Sequence, residues 1–74
     1  MTATDGRQTL AEFADAAGWR RRDVERTDHY AKGDVRVQVL WRGNEAISGS
    51  SLYHDDLLYA YTRDLGTVRG WLKR

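Results

Sequence analysis

The run Asp34-Val35-Arg36-Val37-Gln38-Val39-Leu40-Trp41-Arg42 decides the fold. Val35, Val37, Val39 and Trp41 hold one parity and Arg36, Gln38, Leu40 and Arg42 the other, the period-two pattern of a half-buried strand. β-branched and aromatic residues dominate the first parity, and Gly33 and Gly43 bound the run. It is read as an interior strand whose valine parity faces a core.

Toward the C-terminus, Gly43-Asn44 is a two-residue hairpin signal, because both residue types tolerate positive φ. Ala46–Tyr53 is the next strand, with Trp41 opposite Ala46, Val39 opposite Ser48, Val37 opposite Ser50 and Val35 opposite Leu52. The other face then carries a Leu40–Ile47 pair with Arg36, Gln38, Arg42 and Gly49. The next turn is His54-Asp55-Asp56. If all three residues turn, Tyr53 meets Leu57, Ser51 meets Tyr59, and Tyr61 covers Gly49. Leu40, Ile47, Tyr53, Leu57, Tyr59 and Tyr61 then share one face, rimmed by Arg36 and Arg42, which is too apolar for a comfortable open surface. A two-residue turn sends Tyr59 and Tyr61 to the opposite side.

Toward the N-terminus, Lys32-Gly33-Asp34 is a turn, and Trp19 to Ala31 is a polar first strand, bent or interrupted. A two-residue turn puts Val24, Asp28 and Tyr30 on the valine face; a three-residue turn puts Thr27, His29 and Ala31 there. Neither set is uniformly apolar, which points to a bulge near Asp28.

Helices flank this meander. Thr9-Leu10-Ala11-Glu12 reads as a capping box, Leu10, Phe13, Ala14 and Ala17 as one apolar stripe, and Gly18 as the stop. In Leu57–Thr62 β propensity competes with a helical 3,4,3,4 spacing through Leu58, Tyr61, Leu65, Val68 and Leu72, which would give one helix from Asp55 to Lys73. Gly66 and Gly70 weaken the helix, so a fourth strand followed by a helix from Arg63 to Lys73, capped by Thr62, is preferred. The expectation is an α+β domain over residues 9–74 behind a flexible lead-in of residues 1–8. Its order is helix, three- to four-stranded antiparallel meander, C-terminal helix, with both helices on one sheet face.

The 74 residues contain no cysteine and no proline and carry a net charge of +1. Thiol chemistry is excluded, a reducing cytoplasm is expected, and a DNA-coating protein would be far more basic. No apolar run approaches the ~20 residues that span a bilayer, and the N-terminus lacks a signal-peptide pattern. No phosphate-loop, dinucleotide or nucleophile-elbow pattern occurs, and His54-Asp55-Asp56 has no third partner at metal spacing. No cofactor, metal or catalytic residue is therefore expected. The candidate binding residues are Arg36, Leu40, Arg42, Ile47, Tyr53, Tyr59 and Tyr61 on the sheet. They suit a non-enzymatic interaction module that self-associates as a homodimer or grips a host protein, since Tyr and Arg are enriched at interfaces. The alternative is nucleic-acid binding by these tyrosines with Arg20, Arg21 and Arg22, the one basic run.

Ala17-Gly18-Trp19, the Asp28-His29-Tyr30 strand, the glycine turn and Val35–Val39 are similar in outline to HicA-type toxins, whose fold resembles the double-stranded RNA-binding domain. That resemblance implies RNA cleavage by His29, with Thr27-Asp28 standing where the family has Gly-Ser. Gly18-Trp19, Tyr30–Gly33, the valine strand and Val68-Arg69-Gly70-Trp71-Leu72 also resemble small proteins of actinobacteria and their bacteriophages, families without assigned functions. This second resemblance implies a cytoplasmic accessory or host-interacting protein.

Overall fold

The computed structural model describes residues 6–43 and 46–73. The chain runs as α1 (Gly6–Ala16), β1 (Arg20–Val24), β2 (Thr27–Lys32), β3 (Val35–Arg42), β4 (Ala46–His54), β5 (Leu57–Thr62) and α2 (Leu65–Leu72). The five strands form one antiparallel sheet in sequence order, so each pairs with its chain neighbour. The expected meander is present with more strands than expected. Trp19 to Ala31 is not one bent strand but a hairpin, β1–β2, turning at Glu25-Arg26 with Val24 opposite Thr27. Glu25 adopts a φ of 55° there, a left-handed conformation seldom taken by non-glycine residues, which is why no turn is legible.

The α1 helix has 11 residues and begins at Gly6, so Thr9 and Glu12 lie inside it and form no cap. Of the expected lead-in, residues 6–8 are helical, and residues 1–5 lie outside the described residues. The stop is at Gly18 as expected, with φ of 92°. The Trp19 amide donates to the Ala14 carbonyl at 2.9 Å and the Gly18 amide to Asp15 at 3.0 Å, a Schellman closure. Lys32 Nζ donates to the Ala17 carbonyl at 2.7 Å, adding a cation at the same helix end.

The α2 helix starts after Asp64 rather than Thr62. The Asp64 carboxylate accepts from the Thr67 amide at 3.1 Å and the Thr67 hydroxyl at 2.8 Å, while Thr62 Oγ1 accepts from the Asp64 amide. The Thr67 side-chain bond, then its backbone bond, hold the Asp64 carboxyl below its ordinary value. This cap is therefore in place above the usual carboxylate range and lost as pH falls through the lowered value.

One core holds the layers together. Leu10 and Ala14 of α1 and Val68 and Leu72 of α2 meet Tyr30, Val37, Val39, Trp41, Ile47 and Leu52 of the sheet, with Trp19 between. Both helices thus lie on the valine face. No helix among the described residues is long and apolar enough to cross a membrane. Gly70 sits exposed on α2, and beyond its own helix backbone and chain neighbours no atom of the described residues lies within 4 Å of where a β-carbon would be. Gly70→Ala is expected to stabilise the domain by about 1 kcal/mol, read as a higher urea midpoint at unchanged slope.

Two registers depart from expectation. Trp41 pairs with Ile47 and Arg42 with Ala46, and beyond a bulge at Leu40/Trp41 Leu40 lies opposite Gly49 rather than Ile47, so that Val39, Val37 and Val35 meet Ser50, Leu52 and His54 instead of Ser48, Ser50 and Leu52. Of the expected Gly43-Asn44 turn, Asn44 lies outside the described residues, as does Glu45. At the other end, Asp55 and Asp56 form a two-residue turn with φ of 53° and 66°, and His54 pairs with Leu57. A second bulge, at Leu52/Tyr53, leaves Tyr59 as the extra residue of β5.

Candidate functional site

These registers assign each strand residue to a face. The face away from the helices carries cross-strand rows. One is Arg20, Ala31, Arg36, Tyr53 and Leu58; the next is Arg22, His29, Gln38, Ser51 and Tyr61; a third is Val24, Thr27, Leu40 and Gly49. Arg20 and Arg22 of β1 thereby join Arg36 of β3 around a shallow groove that His29, Gln38 and Tyr53 also line. A second hollow continues it past Leu40 and Gly49 to Tyr61. The phenol end of Tyr61 lies over Gly49, where any β-carbon would overlap its hydroxyl. Tyr61 remains 59% exposed, a ring spread across the sheet and open to stacking.

Charge is segregated. Among the described strand residues of this parity there is no Asp or Glu, while Arg20, Arg22, Arg36 and Arg42 all belong to it. Asp56 reaches the rim from the β4–β5 turn and pairs with Arg36 at 3.4 Å, both side chains mostly in water, a contact worth little. The near-zero net charge therefore conceals one basic face. His29 sits in its middle row, its Nδ1 at 3.3 Å from Gln38 Nε2.

Several candidates lie elsewhere. Ile47 is not on this face: the β3–β4 bulge turns it to the core beside Trp41, 8% exposed. Tyr59 is not there either. As the extra residue of its bulge it lines a hollow with Val35, Leu52 and His54 on the helix side, its ring 6.5 Å from that of His54. Leu57 follows His54 to that side, and Leu58, which was not singled out, takes its place. Arg36, Leu40, Arg42, Tyr53 and Tyr61 stay. Of the basic run, Arg20 and Arg22 share the open face and Arg21 points the other way.

Arg21 belongs to a second polar cluster, and no bulge exists near Asp28. Asp28 lies on the core face, fully buried, opposite Asp23 and Val39. Arg7 grips it with both arms of its fork, Nε to Oδ2 at 3.0 Å and Nη2 to Oδ1 at 2.9 Å. Arg21 adds a contact to Oδ1 at 3.1 Å, and the Trp41 indole donates to Oδ2 at 2.9 Å. The carboxylate's acceptor sites are thus filled, and the bond to Asp28 raises the Arg7 pKa, keeping that cation charged. Arg7 also donates to the Glu25 carbonyl at 3.0 Å, tying α1 to the unusual β1–β2 turn. A saturated, buried carboxylate has no position left for a ligand, and we read this cluster as a clamp between helix and sheet. Beside it, the Tyr30 hydroxyl is buried with no partner in hydrogen-bond geometry among the described residues. Desolvation, reinforced by Asp28, pushes its pKa up to about 12.

Among the described residues no three His, Asp or Glu stand together as metal ligands. The architecture defines a two-layer α+β domain with one sheet face uncovered. Comparison of the chain with protein-family models, with curated proteins and with solved structures finds no match.

Proposed function

We propose that the domain is a non-enzymatic binding module that holds single-stranded nucleic acid across its uncovered sheet face. One observation carries this reading: the face gathers Arg20, Arg22, Arg36 and Arg42 without an acidic residue among its described strand positions, beside the open ring of Tyr61 and the half-buried Tyr53. Guanidinium groups take phosphates, and an aromatic ring accepts any base by stacking. A sheet face is too broad and shallow to enter the groove of a duplex as a helix does, but suits splayed bases. The toxin resemblance would make His29 catalytic. Its neighbour here is an amide, Gln38, and no carboxylate stands among the described strand residues of this face to share acid–base work, which supports binding without cleavage.

Fluorescence anisotropy with labelled single- and double-stranded probes over a salt series tests the reading. The expected result is preference for single strands, with a log–log salt slope of about −2 if three phosphates are neutralised. Tyr61→Ala should weaken binding by roughly 5- to 150-fold, the ~1–3 kcal/mol of one stacked base. Arg22→Ala should flatten the slope by about 0.7. Absence of binding at low salt, or equal affinity for duplex with no effect of Tyr61→Ala, defeats the proposal.

A protein partner with an acidic surface is the second reading, favoured by Leu40 and Leu58, 46% and 61% exposed, which a phosphate chain does not need. Leu40→Lys separates the two. Added charge strengthens nucleic-acid binding, whereas a lysine in a desolvated protein interface weakens it.

A further inference from the structure

We infer that β5 is a self-association edge, along which a second copy of this chain pairs antiparallel to make one continuous sheet. The two edges of the sheet are unlike. The β1 edge is Arg20-Arg21-Arg22-Asp23-Val24, and charge on an outer strand resists strand addition. The β5 edge is Leu57-Leu58-Tyr59-Ala60-Tyr61-Thr62, with no charge and no proline, and Leu57, Leu58, Tyr59 and Tyr61 are 72%, 61%, 73% and 59% exposed. Nothing in the sheet order lies beyond it. A neutral apolar edge meeting the arginine edge of another copy would bury unpaired charge and build an open chain of molecules. Pairing β5 with β5 avoids both, closing as a two-fold dimer.

The faces fix the register of that pairing. Residues opposite each other in an antiparallel pair point to the same side. Pairing with β4 puts Leu58 and Tyr61 on the uncovered face, and Leu57, Ala60 and Thr62 on the helix face. Face matching about a two-fold then sets Leu58 of one copy opposite Tyr61 of the other, and Leu57 opposite Thr62. The symmetry axis passes between Tyr59 and Ala60. The same alignment brings Asp56 of each copy against Arg63 of the other, opposite charges at both ends of the new ladder. The exposed side chains of β5 offer roughly 500 Å² per copy, or roughly 1,000 Å² in total, at the lower limit of specific interfaces. The dimer is accordingly a concentration-dependent one. Its two-fold axis runs perpendicular to the sheet, so both uncovered faces look the same way and the arginine grooves add end to end.

Sedimentation velocity over concentrations on the order of 1 µM to 1 mM tests this. The expected result is a rise from monomer toward dimer mass for the natural chain, and monomer throughout for Leu58→Lys and for Tyr59→Lys. Both positions are exposed, and unchanged thermal midpoints verify that the fold persists. Register is read by oxidation: the chain has no cysteine, so an equimolar mixture of Leu58→Cys and Tyr61→Cys chains should cross-link faster than either alone. A natural chain that stays monomeric, or lysine variants that dimerise undiminished, overturns the inference. Single variants linking as fast as the mixture overturns the register. None of these outcomes depends on nucleic-acid binding, which a monomer can perform.

Discussion

Asp28→Ala is expected to unfold most of the protein at room temperature. Removing one member of a buried ion cluster costs about 3–5 kcal/mol, and a core of this size supplies only about 3–5 kcal/mol in all. The cost has identifiable sources. The Trp41 indole N–H, which donates to Asp28 at 2.9 Å in the interior, is left without an acceptor. Arg7 loses both arms of its grip and with it the hold of α1 on β2. Asp28→Asn keeps an acceptor for Trp41 but removes the buried charge that Arg7 and Arg21 share, so an intermediate loss is expected. Arg21→Ala should cost least, because that side chain is 34% exposed and Arg7 still answers the carboxylate. Far-UV circular dichroism and urea midpoints of the three variants check the order. An Asp28→Ala midpoint within about 1 kcal/mol of the natural chain would show that the clamp is dispensable.

Alkali is expected to remove about 2–3 kcal/mol of stability between pH 10 and 12, and Tyr30→Phe to abolish that loss. The Tyr30 hydroxyl titrates near 12 in the folded protein, against 10.0 for a free tyrosine. Because the folded value is the higher one, the stabilisation is whole below pH 10 and disappears as pH rises through 12. Burial is the chief cause: Tyr30 is 1% exposed, and a phenolate there would lose its water and face the Asp28 carboxylate. Near neutral pH the same variant should match or exceed the natural chain by about 1 kcal/mol, since it removes a buried hydroxyl with no partner in hydrogen-bond geometry among the described residues. Thermal melts of both proteins from pH 7 to 12 measure both effects. Parallel decline of the two curves would assign the alkaline loss to another group.

The central strand was legible because its parities differ in kind, valines against arginines, and no tertiary contact reverses that contrast. The β1–β2 hairpin was not, because Glu25 and Arg26 carry no turn signal; the chain adopts positive φ at Glu25 while Arg7 binds its carbonyl from α1. The same arginine explains the misplaced helix start. A capping box at Thr9 is a sound local signal, yet the first turn is anchored by an ion pair to a residue 21 positions away. Asp28 was read as a defect in alternation because a lone carboxylate does not belong in a core. Its partners stood in what read as a lead-in, a basic run and a valine strand.

The open sheet face was legible in part for a different reason. Arg36, Leu40 and Tyr53 follow directly from alternation. Ile47 and Tyr61 do not, because each follows or precedes a bulge, and one extra residue reverses the side a strand presents. Arg20 and Arg22 were recognised as a charge run, but their meeting with Arg36 needed the missing hairpin.

The Trp19 indole donates to the Leu72 carbonyl at 2.9 Å, across 53 residues of sequence, whereas every strand pair joins chain neighbours. Hairpins with short loops cost little entropy to close, so the sheet can assemble stepwise from local contacts. The clasp between Trp19 and Leu72 closes a far longer loop and so carries a larger entropic cost. The environment of Trp19 is therefore complete only when the final helix docks. In a chain with Trp41 and Trp71 replaced by Phe, its fluorescence offers an optical clock for that docking step.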